Sequence, residues 1–600
     1  MKIATMLVAA CMSAALLCLP SRTVHAGANG TANQLETSKA LARMFDDYIE
    51  AWLPLNPVSA SRLGDHRYDD RFPDMLSAAY RSELRALYSR YLEAAQRFDM
   101  ALLSAADRLS LAIFRWELSN RLALMDNDDY LRPVHQLDSV PSQFALLGSG
   151  QNVHPFKSVR DYENFLKRMD GFTHWIDSAI ANMRVGLRKG VTQPRILMER
   201  TLPQLRVMLV GDVRESLFYR PVANMPGEFS EADRARLTEA YTKAIREQVI
   251  PAYRRLHDFI EKEYLPGCRM SAGIGALPDG AAQYARLARF YTTTDMTPEQ
   301  IHGLGLRLIR EVKQEMEAIR KQVGFKGDLK AFNAHVKGDA KFYPYTSDEQ
   351  ILAGYRHIGE VVQANIPKLF GLQPRSRFEV RATEKFRAAN ASAQYVAGSP
   401  DGARPGVFYV PILDPRKFAS VGTEDLFLHE AVPGHHFQVS LQQELNLPRF
   451  RQYIFYSAFG EGWAVYAESL GPQLGVLKDP YQEYGRLIGE LRGATSLVVD
   501  TGLHVKGWSR DQALTFFRDN AIGSEELAEN RIDRYMAWPG QTLSYLIGET
   551  KIRELRARAE KALGTKFSLR DFHDEVLKDG SMPLAVLEEK IDRWINERKS

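Results

Sequence analysis

Apolar side chains recur at helical spacing through most of this 600-residue sequence, and that period constrains the fold more than any other feature. In "TSKALARMFDDYIEAWLPL" (Thr37 to Leu55), Leu41, Met44, Tyr48, Ile49 and Trp52 fall on one helical stripe. "ARLTEAYTKAIREQVIPAYRRLHDFIEKEYL" (Ala235 to Leu265) is a long amphipathic run, with Pro251 predicting a kink or break inside it. "MTPEQIHGLGLRLIREVKQEMEAIRKQVG" (Met296 to Gly324) has Thr297 to cap a helix, Pro298 at its first position, Gln300 at its third and Gly324 to close it. Ser568 caps a similar segment, "SLRDFHDEVLKDG" (Ser568 to Gly580). Strand signals are few. "GVFYVPIL" (Gly406 to Leu413) is aromatic and β-branched, follows the turn-rich "GSPDGARPG", and has "RFEVRAT" (Arg377 to Thr383) as a candidate partner. Pro411 suggests an edge strand. The expectation is a mainly α chain, one helical unit over residues 27–600 with two lobes around a deep cleft, and a small β element near 377–413.

The ends and the charge narrow the class. Lys2, the apolar run Ile3–Pro20 and the small-x-small "VHA" (Val24 to Ala26) predict a signal peptide over residues 1–26, with Gly27 as the mature start in the periplasm or outside the cell. "VAAC" (Val8 to Cys11) offers a lipoprotein site as the alternative, preceded by a shorter apolar run. No later segment approaches the roughly 18 unbroken apolar residues of a membrane span. Only Cys268 remains beyond the signal peptide, so no internal disulfide forms and the core must stabilise the chain. Lys and Arg are scattered and the formal charge is +4, which argues against a nucleic-acid partner.

"FLHEAVPGHHFQ" (Phe427 to Gln438) begins like a zinc-peptidase helix with His429 and Glu430, yet Pro433 stands where H-E-x-x-H needs histidine. Two histidines follow at His435 and His436. On a continuous helix the residue seven places on lies ~10.5 Å up the axis, and zinc–nitrogen bonds of ~2.0–2.1 Å cannot bridge that distance. Either the chain bulges at Pro433-Gly434 and draws a later histidine back, or the helix is merely kinked and its histidines lie on the surface. Downstream, "SAFGEGWAVYAESL" (Ser457 to Leu470) carries Glu461 and Glu468 on one helical face among apolar neighbours. A buried carboxylate needs a cation or donors. Two histidines with a neighbouring glutamate, then a glutamate on a second helix, make up the His2Glu set of a catalytic zinc site.

"HEAVPGHHFQ", "EGWAVYAES", "VDTGLHVKGWS" and "WPGQTLSYLIGE" resemble the secreted bacterial family catalogued as domain of unknown function 885, and "NPVSASRLGDHRYDDR" and "LPDGAAQYARLARFYTTTDMTPEQIHGLG" match it as well. That family is in turn distantly similar to helical zinc peptidases of the thimet-oligopeptidase and carboxypeptidase Taq kind. The resemblance implies a helical zincin-like fold in which His429, either His435 or His436, and Glu461 bind Zn2+, with Glu430 as general base. Glu468 is expected to orient a ligand histidine. Of the late histidines, His435 needs less chain drawn back. Tyr545 lies where the peptidase relatives place a tyrosine that steadies the oxyanion, and Tyr535 is a second candidate. His504, near Asp500, is a further pocket candidate.

The implied activity is an exported zinc metallopeptidase acting on a peptide or peptide-like substrate. A zinc hydrolase of another amide or ester is the alternative, and a non-catalytic helical binding protein is a third. Glu430 separates the last from the others, because a structural zinc site needs no general base.

Overall fold

The computed structural model describes residues 22–388, 392–399 and 404–599, and they are mainly helical with one small sheet. The apolar run Ile3–Pro20 lies outside the described residues, and Val24–Ala26 fall in the opening turns of the helix Arg22–Trp52. Leu41, Met44, Tyr48 and Ile49 on that helix are buried, as their spacing predicts. Pro251 does not break its run. The helix Glu231–Ala244 widens into a π turn over Ile245–Val249 and resumes as Ile250–Phe259, with Pro251 in the first turn. A π turn absorbs the missing N–H without ending the helix.

Seven helices carry or surround the histidine motif: α1 (Pro298–Gln322), α2 (Thr423–Glu430), α3 (His435–Gln443), α4 (Ser457–Glu468), α5 (Pro480–His504), α6 (Glu525–Ala537) and α7 (Ser544–Leu563). The capping box predicted for α1 is formed: Thr297 Oγ1 accepts from the Gln300 N–H, and Gln300 Oε1 accepts from the Thr297 N–H. α1 packs along α5 at Gly305, where a Cβ would lie 2.7 Å from Val498. Buried apolar side chains form two clusters, one holding α2, α3, α4 and α7, the other built mainly from residues 134–272. α5 joins them. Its Leu487, Leu491 and Leu497 belong to the first cluster and Val499 and Leu503 to the second.

The sheet has strand order β1-β3-β2, with β1 (Phe378–Ala382) parallel and β2 (Gln394–Val396) antiparallel to β3 (Gly406–Val410). The expected pairing of the two predicted strands therefore occurs. The edge position expected from Pro411 does not: β3 is central, and Pro411 follows its last residue. β3 is buried at four of its five residues, which is why it reads as an apolar run. Among the described residues no helix is long and apolar enough to cross a membrane.

Candidate metal centre

Helix α2 ends at Glu430, and the next four residues bulge out of helical geometry before α3 begins. Ala431 has φ −109° and ψ −99°, the Val432–Pro433 peptide is cis, and Gly434 has φ −74° and ψ −129°. A Cβ on Gly434 would sit 1.9 Å from the His429 carbonyl oxygen and 2.4 Å from that of Leu428, so only glycine fits against the end of α2. The Trp463 indole N–H of α4 donates to the Pro433 carbonyl at 2.8 Å and holds the loop down. The bulge brings His435, the first residue of α3, back over His429, with ring centroids 4.8 Å apart and planes at 89°.

α4 supplies the third group. One ligand atom each from His429, His435 and Glu461 lie within 4.8 Å of one another. Glu461 Oε2 is 3.7 Å from His429 Nε2 and 3.4 Å from His435 Nε2. Glu468, two turns on, has Oε1 2.8 Å from His429 Nδ1, which leaves Nε2 of that ring for an ion. The three side chains are 15–17% exposed, so the cluster is neither sealed in the core nor on the outer surface. Burial disfavours charge on Glu461, but the two imidazoles outweigh it and hold its carboxyl far below the usual range. Burial likewise opposes charge on His429, and Glu461 and Glu468 overcome it and raise its pKa well above the ordinary value. Two nitrogens and an anionic oxygen converging on one point, with one ring oriented from behind, fit a zinc ion.

Glu430 lies beside the cluster and is buried. Its Oε2 accepts from the Tyr395 backbone N–H of β2 at 2.8 Å. Burial raises its pKa above the usual carboxylate value, and the charges of His429 and His435 only partly offset this.

The remaining candidates divide. His436 points away from the cluster into a pocket with Phe378, its Nδ1 3.1 Å from the Tyr395 hydroxyl and 3.2 Å from Ser440 Oγ. Burial lowers its pKa to about 4. Tyr545 is close to the cluster. α4 and α7 cross at two glycines, where a Cβ on Gly462 would lie 2.4 Å from Gly548 Cα. That contact sets Tyr545, one turn before Gly548, within reach of the Glu461 charge. Burial first and Glu461 second raise the phenol's pKa, so it stays protonated. Tyr535 is buried on α6 with its hydroxyl 2.6 Å from Ser496 Oγ, a core contact rather than a site one. His504 is also structural. Its Nδ1 accepts from the Ile274 N–H at 3.1 Å, its Nε2 donates to the Tyr535 carbonyl at 3.0 Å, and burial lowers its pKa to about 3. Asp500 does not pair with it but accepts from the Tyr284 hydroxyl at 2.5 Å and from the Gly540 N–H at 3.1 Å. Sequence reasoning missed Tyr395, whose strand spans only three residues.

No curated protein matches the chain. A solved structure from Colwellia psychrerythraea, described as a "putative lipoprotein", matches at TM-score 0.83 and 24% identity over 94% of this chain and 99% of that one. A second, from Shewanella oneidensis and described as a "putative lipoprotein of unknown function", matches at TM-score 0.74 and 21% identity over 92% and 99%. These likenesses show the fold. The family model described as "Bacterial protein of unknown function (DUF885)" matches residues 57–591, and the chain belongs to that family.

Proposed function

We propose that the chain is an exported zinc hydrolase that cleaves peptide bonds. The carrying observation is the convergence of His429, His435 and Glu461 within 4.8 Å, with the buried carboxylate of Glu430 beside them. A bound zinc ion supplies Lewis acidity to a carbonyl and makes water a better acid near neutral pH. Glu430 takes the proton from the attacking water and passes it to the leaving amine. The Tyr395 N–H holds Glu430 Oε2 and leaves Oε1 for that exchange. The neutral Tyr545 hydroxyl donates to the oxygen that gains charge. β2 is an edge strand whose Tyr395 N–H faces Glu430 rather than β3, so its outer edge lies alongside the site. An extended peptide can align on such an edge through its own backbone, which favours a peptide substrate. The apolar run Ile3–Pro20 and the descriptions of the two structural neighbours support export.

Purified protein should carry one zinc ion per chain and cleave members of a mixed peptide library. Chelation should abolish cleavage and added zinc restore it. A zinc-free protein, or cleavage indifferent to chelator, contradicts the proposal.

A further inference from the structure

α5 carries Arg492 between a glycine that faces α2 and one packed closely on α7. A Cβ on Gly489 would lie 4.0 Å from Asp425 Oδ2 on α2, and one on Gly493 would lie 2.9 Å from Leu546, the neighbour of Tyr545 on α7. One turn beyond Arg492, Ser496 meets the Tyr535 hydroxyl of α6. Arg531 precedes Tyr535 by one turn on that helix. Residues four apart share a helix face, so the row Arg492–Ser496 on α5 opposes the row Arg531–Tyr535 on α6. The two guanidinium groups are thereby brought together on the side of α5 that packs against α2, α6 and α7, near Tyr545.

The acids that act on Arg492, Asp425 and Glu468, form no ion pair with it. Arg492 Nε is buried without a hydrogen-bond partner, and among the described residues neither Arg492 nor Arg531 forms an ion pair. Burial lowers the Arg492 pKa to about 10, and Arg531 is the next largest cause, ahead of the opposing Asp425 and Glu468. Glu468 is engaged with His429. A third arginine on α6, Arg534, spends its guanidinium on Gln541 Oε1 at 2.8 Å, not on an acid. Partly buried charges in proteins are ordinarily paired. Here two guanidinium groups are held together near Tyr545 with no ion pair to either, and burial together with Glu468 holds the Asp425 carboxyl well above the usual carboxylate range.

We propose that Arg492 and Arg531 seat a carboxylate of the substrate, so that the hydrolase acts on peptides whose anionic group lies a short distance from the scissile bond. The identity of the ligand rests on the peptidase reading. The planar guanidinium fork matches a carboxylate with paired hydrogen bonds. Two sources share that chemistry: the C-terminal carboxylate of a short peptide, or an aspartate side chain within one.

The test is binding, measured by calorimetry on zinc-treated Glu430→Gln protein, which does not depend on turnover. Three probes are compared: N-acetyl-Ala-Ala-Ala as the free acid, the same peptide as its C-terminal amide, and N-acetyl-Ala-Asp-Ala amide. The free acid, the aspartyl amide, or both should bind on the order of tenfold more tightly than the neutral amide. Whichever does so identifies the source. Arg531→Gln and Arg492→Lys should each weaken the preferred acid and leave the neutral amide unchanged. Arg531 is only half-buried, so its variant carries the test if the Arg492 variant fails to fold. Equal binding of all three probes, or an acid preference that survives Arg531→Gln in folded protein, overturns the proposal. Zinc is assayed on the same samples. An acid preference in protein that holds no zinc keeps the arginine site and removes only the hydrolase reading.

Discussion

The backbone N–H of Tyr395 donates to Glu430 Oε2 at 2.8 Å, tying the free edge of the small sheet to the buried carboxylate beside the His429–His435–Glu461 cluster. That N–H is not spent on the β3 ladder, so Pro at position 395 removes it without breaking a sheet bond. Tyr395→Pro should keep zinc and lower kcat about tenfold, the cost of one hydrogen bond to a charged group. Tyr395→Phe, which keeps the N–H, should stay within about twofold of wild type in kcat. Steady-state kinetics with zinc assay separates the two; equal losses contradict the role given to the N–H.

The adjacent histidines should respond differently to truncation. His435→Ala should lose zinc, because it removes one of the three proposed ligands. His436→Ala should keep zinc and lose about 1–3 kcal/mol of stability, since the Tyr395 hydroxyl and Ser440 are left without their buried partner. Metal analysis and urea unfolding of both variants check this. Zinc loss from the His436 variant alone reverses the assignment.

Gly434 is the tightest point of the motif. Gly434→Ala drives a methyl to 1.9 Å from a backbone oxygen, and neither side is a flexible side chain. At least ~2 kcal/mol of stability should be lost, together with zinc affinity, as the loop moves off α2. Gly211→Ala, where a Cβ meets nothing within 4 Å, is the control and should be nearly neutral. Calorimetric unfolding of both variants measures the contrast.

Acid should weaken the fold through buried histidines. Burial lowers His504 and His573 to about 3 and His154 to about 4. The unfolded chain binds protons at these positions from pH ~6.5 downward, whereas the folded chain does not until pH 3–4. Their contribution is therefore complete above pH ~6.5 and is lost as pH falls towards the folded values. Asp500 and Glu549, pushed up to about 7 by burial, run the other way. His504→Gln keeps a donor and an acceptor but does not titrate. The stability difference between wild type and this variant should shrink as pH falls from 7 to 4; a difference independent of pH contradicts the linkage.

Much of the centre was legible because its parts lie close in sequence. Pro433-Gly434 marked a bulge or a kink, and the spacing of Glu461 and Glu468 placed two carboxylates on one helix face. The choice between His435 and His436 was legible only as a preference for His435, because it turns on the backbone angles of Ala431 and Gly434. Tyr535 was a site candidate through the resemblance, as a second tyrosine beside Tyr545, and His504 was one because it lies near Asp500. Their partners, Ser496 and Ile274, are 39 and 230 positions away, and only the fold shows that these groups satisfy one another in the core. The Gly462–Gly548 crossing that positions Tyr545 was hidden for the same reason. So was the Arg492–Arg531 pair, which lies on two helices joined by no motif. β2 escaped notice because three residues carry too little pattern to read.

The central claim is that Glu430 is a base beside a zinc site to which it is not a ligand. The most direct measurement is zinc content and peptide turnover of Glu430→Gln against Glu461→Gln, prepared in parallel. Glu430→Gln should bind zinc as wild type does and lose about 10²–10⁴-fold in kcat, while Glu461→Gln should lose zinc. Full zinc occupancy in Glu461→Gln, or undiminished turnover in Glu430→Gln, would contradict the account.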